Sequence, residues 1–316
     1  MNSKKYSLKH KNIWVAGHNG MVGKALINRL KSEECKIITI PKSKLDLTNQ
    51  QTTWNWMESQ SIDIVFLAAA KVGGIFANSE YPAEFIYDNI CIATNIIKGA
   101  HIFKADRLVF LGSSCIYPKF TKQPIREESL LSGHLESTNE PYAIAKIAGL
   151  KMCQAFNKQY KTDFISVMPT NLYGKGDNFH PENSHVMASL IRKISEAKYN
   201  NIKEIEIWGS GTPRREFLHV DDLADSLVFL CKNYFGQDPI NIGSGKDISI
   251  IELAVLISKI ANWQINIKLN HDKPDGTPLK RLDISRINSL GWKPNISLKK
   301  GIAQSLEHYK NIRKSS

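Results

Sequence analysis

In LGSSCIYP (Leu111 to Pro118) and PYAIAK (Pro141 to Lys146), a serine, a tyrosine and a lysine four residues after that tyrosine lie downstream of a glycine-rich turn. On a helix, Tyr142 and Lys146 share one face, one turn apart, so an ammonium there is expected to lower the phenol's pKa and steady its proton transfer. With Ser113 as a second hydroxyl, this set suits hydride chemistry at a carbonyl and points to an oxidoreductase. Cys115, in the same stretch, brings a second kind of chemistry. Taken alone it reads as a small buried hydrophobe.

These groups need a scaffold that holds them over a ligand. Asn12 to Ala16 (NIWVA) is a short apolar run, GHNGMVG follows as a tight turn, and Gly23 to Lys31 is amphipathic, which predicts strand, turn and helix. Lys36 to Ile40, a polar segment, Asp63 to Ala69, a helical Tyr81 to Ala100, Arg107 to Leu111, a helical Tyr142 to Tyr160 and Asp163 to Met168 continue the alternation. The pattern predicts an α/β chain with a Rossmann-like, doubly wound parallel sheet in residues 1–172, completed by later segments around 216–245. Residues 173–316, looser and richer in glycine, asparagine and proline, are expected to form a smaller C-terminal substrate-binding lobe.

Gly17, Gly20 and Gly23 follow the first strand as GxxGxxG. The first allows the turn, the second close approach of a pyrophosphate, and the third tight packing of the helix. The second strand ends in ITIPKSK, whose Lys42 and Lys44 suit a 2′-phosphate and favour NADP(H) over NAD. Asp46 is a candidate for the adenine edge. AAAKVGG (Ala68 to Gly74) reads equally as room for a cofactor or as helix packing.

The formal net charge of +12 and 42% hydrophobic content describe a foldable basic chain. The lysines are spread along its length without arginine and aromatic interleaving, so nucleic acid is not an expected partner. Five cysteines, an odd number without CxxC pairs, argue against a disulfide framework and a zinc site, and no metal is expected. No run of eighteen apolar residues occurs and the start is polar, so no membrane partner and a cytoplasmic location are expected. His219 with Asp221 and Asp222 (LHVDD) resembles a metal or acid/base cluster, but reads better as a strand-to-helix junction capped by one of the aspartates.

GHNGMVG, AAAKVGG, LGSSCIYPK, EPYAIAKIAG, MPTNLYG, NFHPENSHV and WGSGTPRREFLHVDD occur in this order between about Asn12 and His308. Over that span the chain resembles the extended short-chain dehydrogenase/reductases, and among them the GDP-L-fucose synthase family of GDP-4-keto-6-deoxy-mannose 3,5-epimerase/4-reductases. The resemblance implies that Ser113 and Tyr142 bind the C4 keto oxygen, with Tyr142 as proton donor, and that Lys146 holds the nicotinamide ribose. It makes Cys115 and His185 the epimerising pair; His185 alone would read as a loop histidine. NADP(H) would be held by Gly17, Asn19, Gly20, Met21, Val22, Gly23, Lys42, Asp46, Ala69, Lys146, Asn171 and His185. Ser114, Asn171, Lys193, Trp208, Arg215 and Asp283 would contact a GDP-4-keto-6-deoxy sugar, although Asp283 reads equally as a helix cap before ISRINSL. A homodimer joined by long helices is also implied.

Three departures from the family stand out: Asn19 in place of an arginine, KGDNF after NLYG, and Arg214 beside Arg215, which suggests a modified sugar. They leave open a C4 reductase for another, already epimerised GDP-4-keto sugar such as a heptose. An NDP-sugar 4-epimerase that retains NAD shares the triad, and a non-catalytic dinucleotide-binding protein shares the fold.

Overall fold

The computed structural model describes residues 5–273 and 275–315. Its first half alternates as the apolar runs require: β1 (Asn12–Ala16), α1 (Met21–Leu30), β2 (Lys36–Ile38), α2 (Gln50–Glu58), β3 (Ile64–Leu67), α3 (Ile75–Glu80), α4 (Pro82–Ile102), β4 (Arg107–Leu111), α5 (Glu140–Tyr160) and β5 (Phe164–Pro169). β3, β4 and β5 are buried along their whole length, the signature of strands covered on both faces. The strand expected at Lys36 to Ile40 ends at Ile38. The segment read as merely polar contains α2, whose start is fixed by the Asn49 side chain accepting from the Thr52 amide at 3.0 Å, a cap worth about 1 kcal/mol.

The second half runs β6 (Asn171–Tyr173), α6 (Val186–Tyr199), β7 (Glu204–Trp208), β8 (Arg214–His219), α7 (Val220–Asn233), β9 (Ile240–Ile242), β10 (Asp247–Ser249), α8 (Ile250–Ile260), β11 (Asn266–Asn270), β12 (Leu279–Lys280), α9 (Ser285–Ser289) and α10 (Leu298–Ser315). β9 returns to pair in parallel with β5, giving a six-stranded sheet of order β2-β1-β3-β4-β5-β9. Successive strands leave β1 in opposite directions, to β2 on one side and β3 on the other. Open α/β sheets bind ligands beyond the carboxyl ends of the strands at such a switch point. One face of the sheet is covered by α1 and α7, through Leu26, Leu30, Leu223 and Leu227; the other by α2, α4 and α5, through Met57, Ile96, Ile97 and Leu150.

The remaining strands build a second layer. β8 is flanked by β10 and β12 and also pairs with β6, while β7 pairs with β11. α6, α8 and α10 close a separate apolar core around Ile191, Ile194, Leu253, Ile257 and Ile302. The LHVDD junction is structural, but neither aspartate caps it. His219 is the N-cap of α7, its Nδ1 accepting from the Asp221 amide at 3.3 Å. Buried Asp222 instead accepts from the Asn295 and Ile296 amides, tying down the approach to α10.

Candidate active site

β1 delivers Gly17 to the switch point with φ +88°, a left-handed conformation that side chains avoid. A Cβ on Gly17 would lie 2.6 Å from the Ala69 nitrogen at the end of β3, and one on Gly23 would overlap the Gly17 carbonyl. Gly20 differs, because a Cβ there would meet nothing nearer than that carbonyl at 3.5 Å. Its side of the turn is therefore open. Gly20 is the N-cap of α1, which has no side-chain cap and no acidic residue in its first turn, so free amides and the helix dipole face that opening. A cradle of this kind fits the pyrophosphate of a dinucleotide. Asn19 stands exposed on the turn, and Met21 and Val22 begin the helix half-buried.

Beyond β2, a turn closed by the Lys44 and Leu45 amides on the Pro41 carbonyl is anchored by buried Leu45 and leaves Lys42 and Lys44 exposed. Asp46 accepts from the Thr48 amide and hydroxyl, and those bonds hold its carboxyl below the usual range. It shapes the entry to α2, whatever it does for a ligand.

At the end of β4, Ser113 caps the short turn Ser114–Ile116, its hydroxyl accepting from the Cys115 amide at 3.2 Å. Ser114 itself is buried. Pro141 opens α5 and sets Tyr142 in its first turn, where the ring meets Phe85 edge-on. Lys146 is 5% exposed and donates to the Leu111 carbonyl at 2.8 Å. Burial pulls its pKa down to about 8. The expected lowering of the phenol by this ammonium does not occur here: burial raises Tyr142, the charge on Cys115 adds to the rise, and the Ser113 hydrogen bond opposes it. Desolvation outweighs the neighbour because the ammonium is turned toward Leu111.

Cys115 receives two donors that no local motif signals, Asn139 Nδ2 and Lys280 Nζ, each 3.6 Å from its sulfur. His185 is the N-cap of α6, with its side chain left out of the cap. The residue is exposed, yet the protein around its imidazole desolvates it enough to lower its pKa. α3 links the two regions: it packs against Ser137–Asn139, and Gly74 at its start lies against the Ser184 carbonyl. Around it, Asn139 Oδ1, Asn183 Oδ1 and Ser184 Oγ are buried without a hydrogen-bond partner among the described residues, which is where a polar ligand would complete the bonding.

The outer rim comes from the second layer. Lys193 reaches the Glu206 carbonyl at 2.8 Å on β7, and Trp208 at the end of that strand is 55% exposed. Arg215 donates to the carbonyls of Arg214, at 2.8 Å, and Thr277, and it feels the charges of Asp275 and Cys115. Asn171 donates to the Glu216 carbonyl at 2.8 Å. Asp275, overlooked in the sequence, accepts from the Ser210 amide and hydroxyl at 2.9 and 2.7 Å; the DG pair in KPDGTP was its one visible signal. Asp283 is engaged elsewhere, accepting from the Ser285 amide at 2.8 Å and pairing with Arg126 at 3.6 Å. Arg214 does not add charge to the site, because it is paired with Asp247 and Glu252. Among the described residues no three acidic, histidine or cysteine side chains cluster as a metal site, and no helix is long and apolar enough to cross a membrane.

A phosphate cradle at the switch point, with serine, tyrosine and lysine at the mouth of the sheet, defines an extended short-chain dehydrogenase/reductase. The chain belongs to the NAD dependent epimerase/dehydratase family, whose model matches residues 13–243. It is 52% identical to a GDP-L-fucose synthase of Sinorhizobium fredii, over 96% of this chain and 97% of that one. A GDP-L-fucose synthetase from Naegleria fowleri bound to NADP superposes with a TM-score of 0.91 at 25% identity, covering 100% of this chain and 99% of that one. A GDP-6-OMe-4-keto-L-xylo-heptose reductase from C. jejuni gives 0.89 at 35% identity, over 96% and 98% of the two chains.

Proposed function

We propose that this chain catalyses the NADPH-dependent conversion of a GDP-4-keto-6-deoxy hexose to its 4-hydroxy product, with epimerisation at C3 and C5 preceding reduction at C4. The observation that carries it is the single turn after β4, which presents Ser113 to the phenol of Tyr142 and, two residues on, the thiol of Cys115. NADPH, held by Gly17, Gly20 and the first turn of α1, would supply the hydride that C4 accepts. Tyr142, kept protonated by burial, gives its proton to the oxygen as charge develops there, and Ser113 holds the same oxygen by a hydrogen bond. Lys146 stays cationic at neutral pH and would hold the nicotinamide ribose. Before reduction, the C4 carbonyl acidifies C3 and C5; Cys115 and His185 remove and return protons there, while Ser113 and Tyr142 steady the enolate oxygen. Arg215 and Lys193 suit the diphosphate, and the open indole of Trp208 suits a base or sugar face.

The alternative of a reductase for another sugar loses one of its supports, since Arg214 is consumed by Asp247 and Glu252. We extend the proposal to a homodimer through α4 and α5, where Tyr87, Ile144 and Tyr160 stand exposed; a monomer in sedimentation would remove that part. The reaction is tested by incubation with GDP-4-keto-6-deoxy-mannose in heavy water, with and without NADPH. Deuterium at C3 and C5 together with NADPH oxidation is expected. Reduction without incorporation, or no reaction, would point to a different, already epimerised sugar.

A further inference from the structure

β12 contributes two residues to the sheet of the second layer, in parallel register with β8: Leu279 beside Arg214 and Lys280 beside Arg215. Side chains alternate across a strand, so Lys280 and Arg215 project from the same face, opposite to Arg214 and its acidic partners. Two cations side by side on adjacent strands repel each other. What they share is Cys115: the Lys280 ammonium is 3.6 Å from the sulfur, and Arg215 is within electrostatic reach of it. A cavity of 30 Å³ lies against this contact, lined by Cys115, Gln123, Glu136, Asn139 and Lys280. It has room for about one water.

We propose that Lys280 is a positioning residue for the epimerisation step, its ammonium holding the Cys115 sulfur by a hydrogen bond and aiming it at the carbon to be deprotonated. The proposal rests on the epimerase reading of Cys115. In the step, the Cys115 sulfur, as thiolate, takes a proton from the carbon next to the C4 carbonyl, the electron pair moves onto the C4 oxygen, and Lys280 exchanges no proton. The other charged or titratable groups facing the sulfur are Arg215 from β8 and Tyr142 from α5, with Glu136 beside the cavity and held by Lys119 at 3.6 Å. Asn139, the second donor, is neutral and orients the sulfur from the other side.

The test is iodoacetamide alkylation of the full-length chain from pH 5.5 to 9.5, followed at the Cys115 peptide by mass spectrometry, with the Cys35 peptide as internal reference. Lys280→Met should slow alkylation of Cys115 about tenfold at neutral pH relative to the Cys35 peptide, because the sulfur loses its cationic partner, while Lys280→Arg keeps it near wild type. An unchanged alkylation rate in Lys280→Met overturns the proposal; Lys280→Gln replaces it if the methionine variant does not fold. As a second readout, Lys280→Met should slow deuterium exchange at C3 and C5 about tenfold and leave NADPH oxidation by an already inverted 4-keto sugar within about twofold. Equal loss of both activities also overturns it. If the wild-type enzyme exchanges no deuterium, the epimerase reading fails on its own, and the alkylation profile still decides whether Lys280 controls the sulfur.

Discussion

Tyr142 and Lys146 lie one helical turn apart on α5, yet the ammonium is 5.7 Å from the centre of the phenol ring and spends a hydrogen bond on the Leu111 carbonyl. The two groups therefore titrate for separate reasons. Burial keeps the phenol protonated through the whole neutral and mildly alkaline range, while the same burial makes Lys146 the group that loses its proton first.

That order has a measurable effect on stability. The folded, cofactor-free chain releases the Lys146 proton near pH 8, whereas the unfolded chain holds it to about 10.5. Across this window the unfolded state binds more protons, so unfolding free energy rises with pH, by up to about 3 kcal/mol. Thermal melts without cofactor should show wild type gaining on Lys146→Met between pH 8 and 10. Parallel curves for the two proteins would mean that the ammonium is not desolvated in solution.

Tyr142→Phe keeps the ring against Phe85 and removes the acid. Reduction should fall by about three orders of magnitude or more, with the Kd for NADPH changed less than about threefold. An active phenylalanine variant would take the proton-donor role away from Tyr142.

How much of this was legible in the chain follows from how local each signal is. β1 and β4 could be delimited to the residue because four consecutive buried apolar residues behind a polar first residue stand out from polar flanks. α2 could not, since Thr53 and Met57 are its only buried residues and the segment carries little apolar periodicity. Ser113, Tyr142 and Lys146 were readable because one turn and one helix hold them at short spacing. Lys280, Asn139 and Asp275 were not: the first reaches Cys115 through the pairing of β12 with β8, across 165 residues of sequence. Arg214 and Arg215 look equivalent as a dipeptide, and strand alternation gives them opposite partners.

The glycine turn separates folding from binding. In Gly23→Ala the new methyl would overlap the Gly17 carbonyl, a backbone atom that cannot move aside, so the apo protein should lose about 1–3 kcal/mol and NADPH binding with it. In Gly20→Ala the methyl enters open space and the apo melting temperature should stay within a few degrees. Its NADPH affinity should still fall at least about tenfold, because the methyl occupies the approach of the pyrophosphate. Unaltered affinity in Gly20→Ala would show that the dinucleotide does not lie across this turn.

Lys42 and Lys44 are exposed just beyond β2, where we propose the 2′-phosphate lies, and among the described residues the one acidic group acting on either is Asp46, with Lys42. Replacing both with alanine should weaken NADPH by about 10–100-fold and NADH by no more than about twofold, since each charge-assisted contact is worth about 1.5–3 kcal/mol before solvent exposure discounts it. Isothermal titration with both cofactors decides the point. Equal losses would move the source of NADP preference to another part of the cradle.

The division of labour between the two chemistries is tested at Cys115 and His185. Serine in place of Cys115 keeps the turn and its amide bond to Ser113 but offers no readily ionised proton acceptor; glutamine in place of His185 keeps a polar group at the head of α6 without a titrating one. Each substitution should cut deuterium incorporation at C3 and C5 by about 100-fold or more and leave reduction of an already inverted 4-keto sugar within about threefold. Because desolvation lowers the His185 pKa, its imidazole is neutral at pH 7 and gains its proton on the acid side of the ordinary histidine range. Proton return by His185 should therefore quicken as pH falls through that range, and exchange measured against pH should show that limb in the wild type. His185→Gln should lose the limb that His185 sets. A variant at either position that abolished reduction as well would show that the thiol and the imidazole serve the C4 chemistry, and that the two halves of the reaction are not separable in this site.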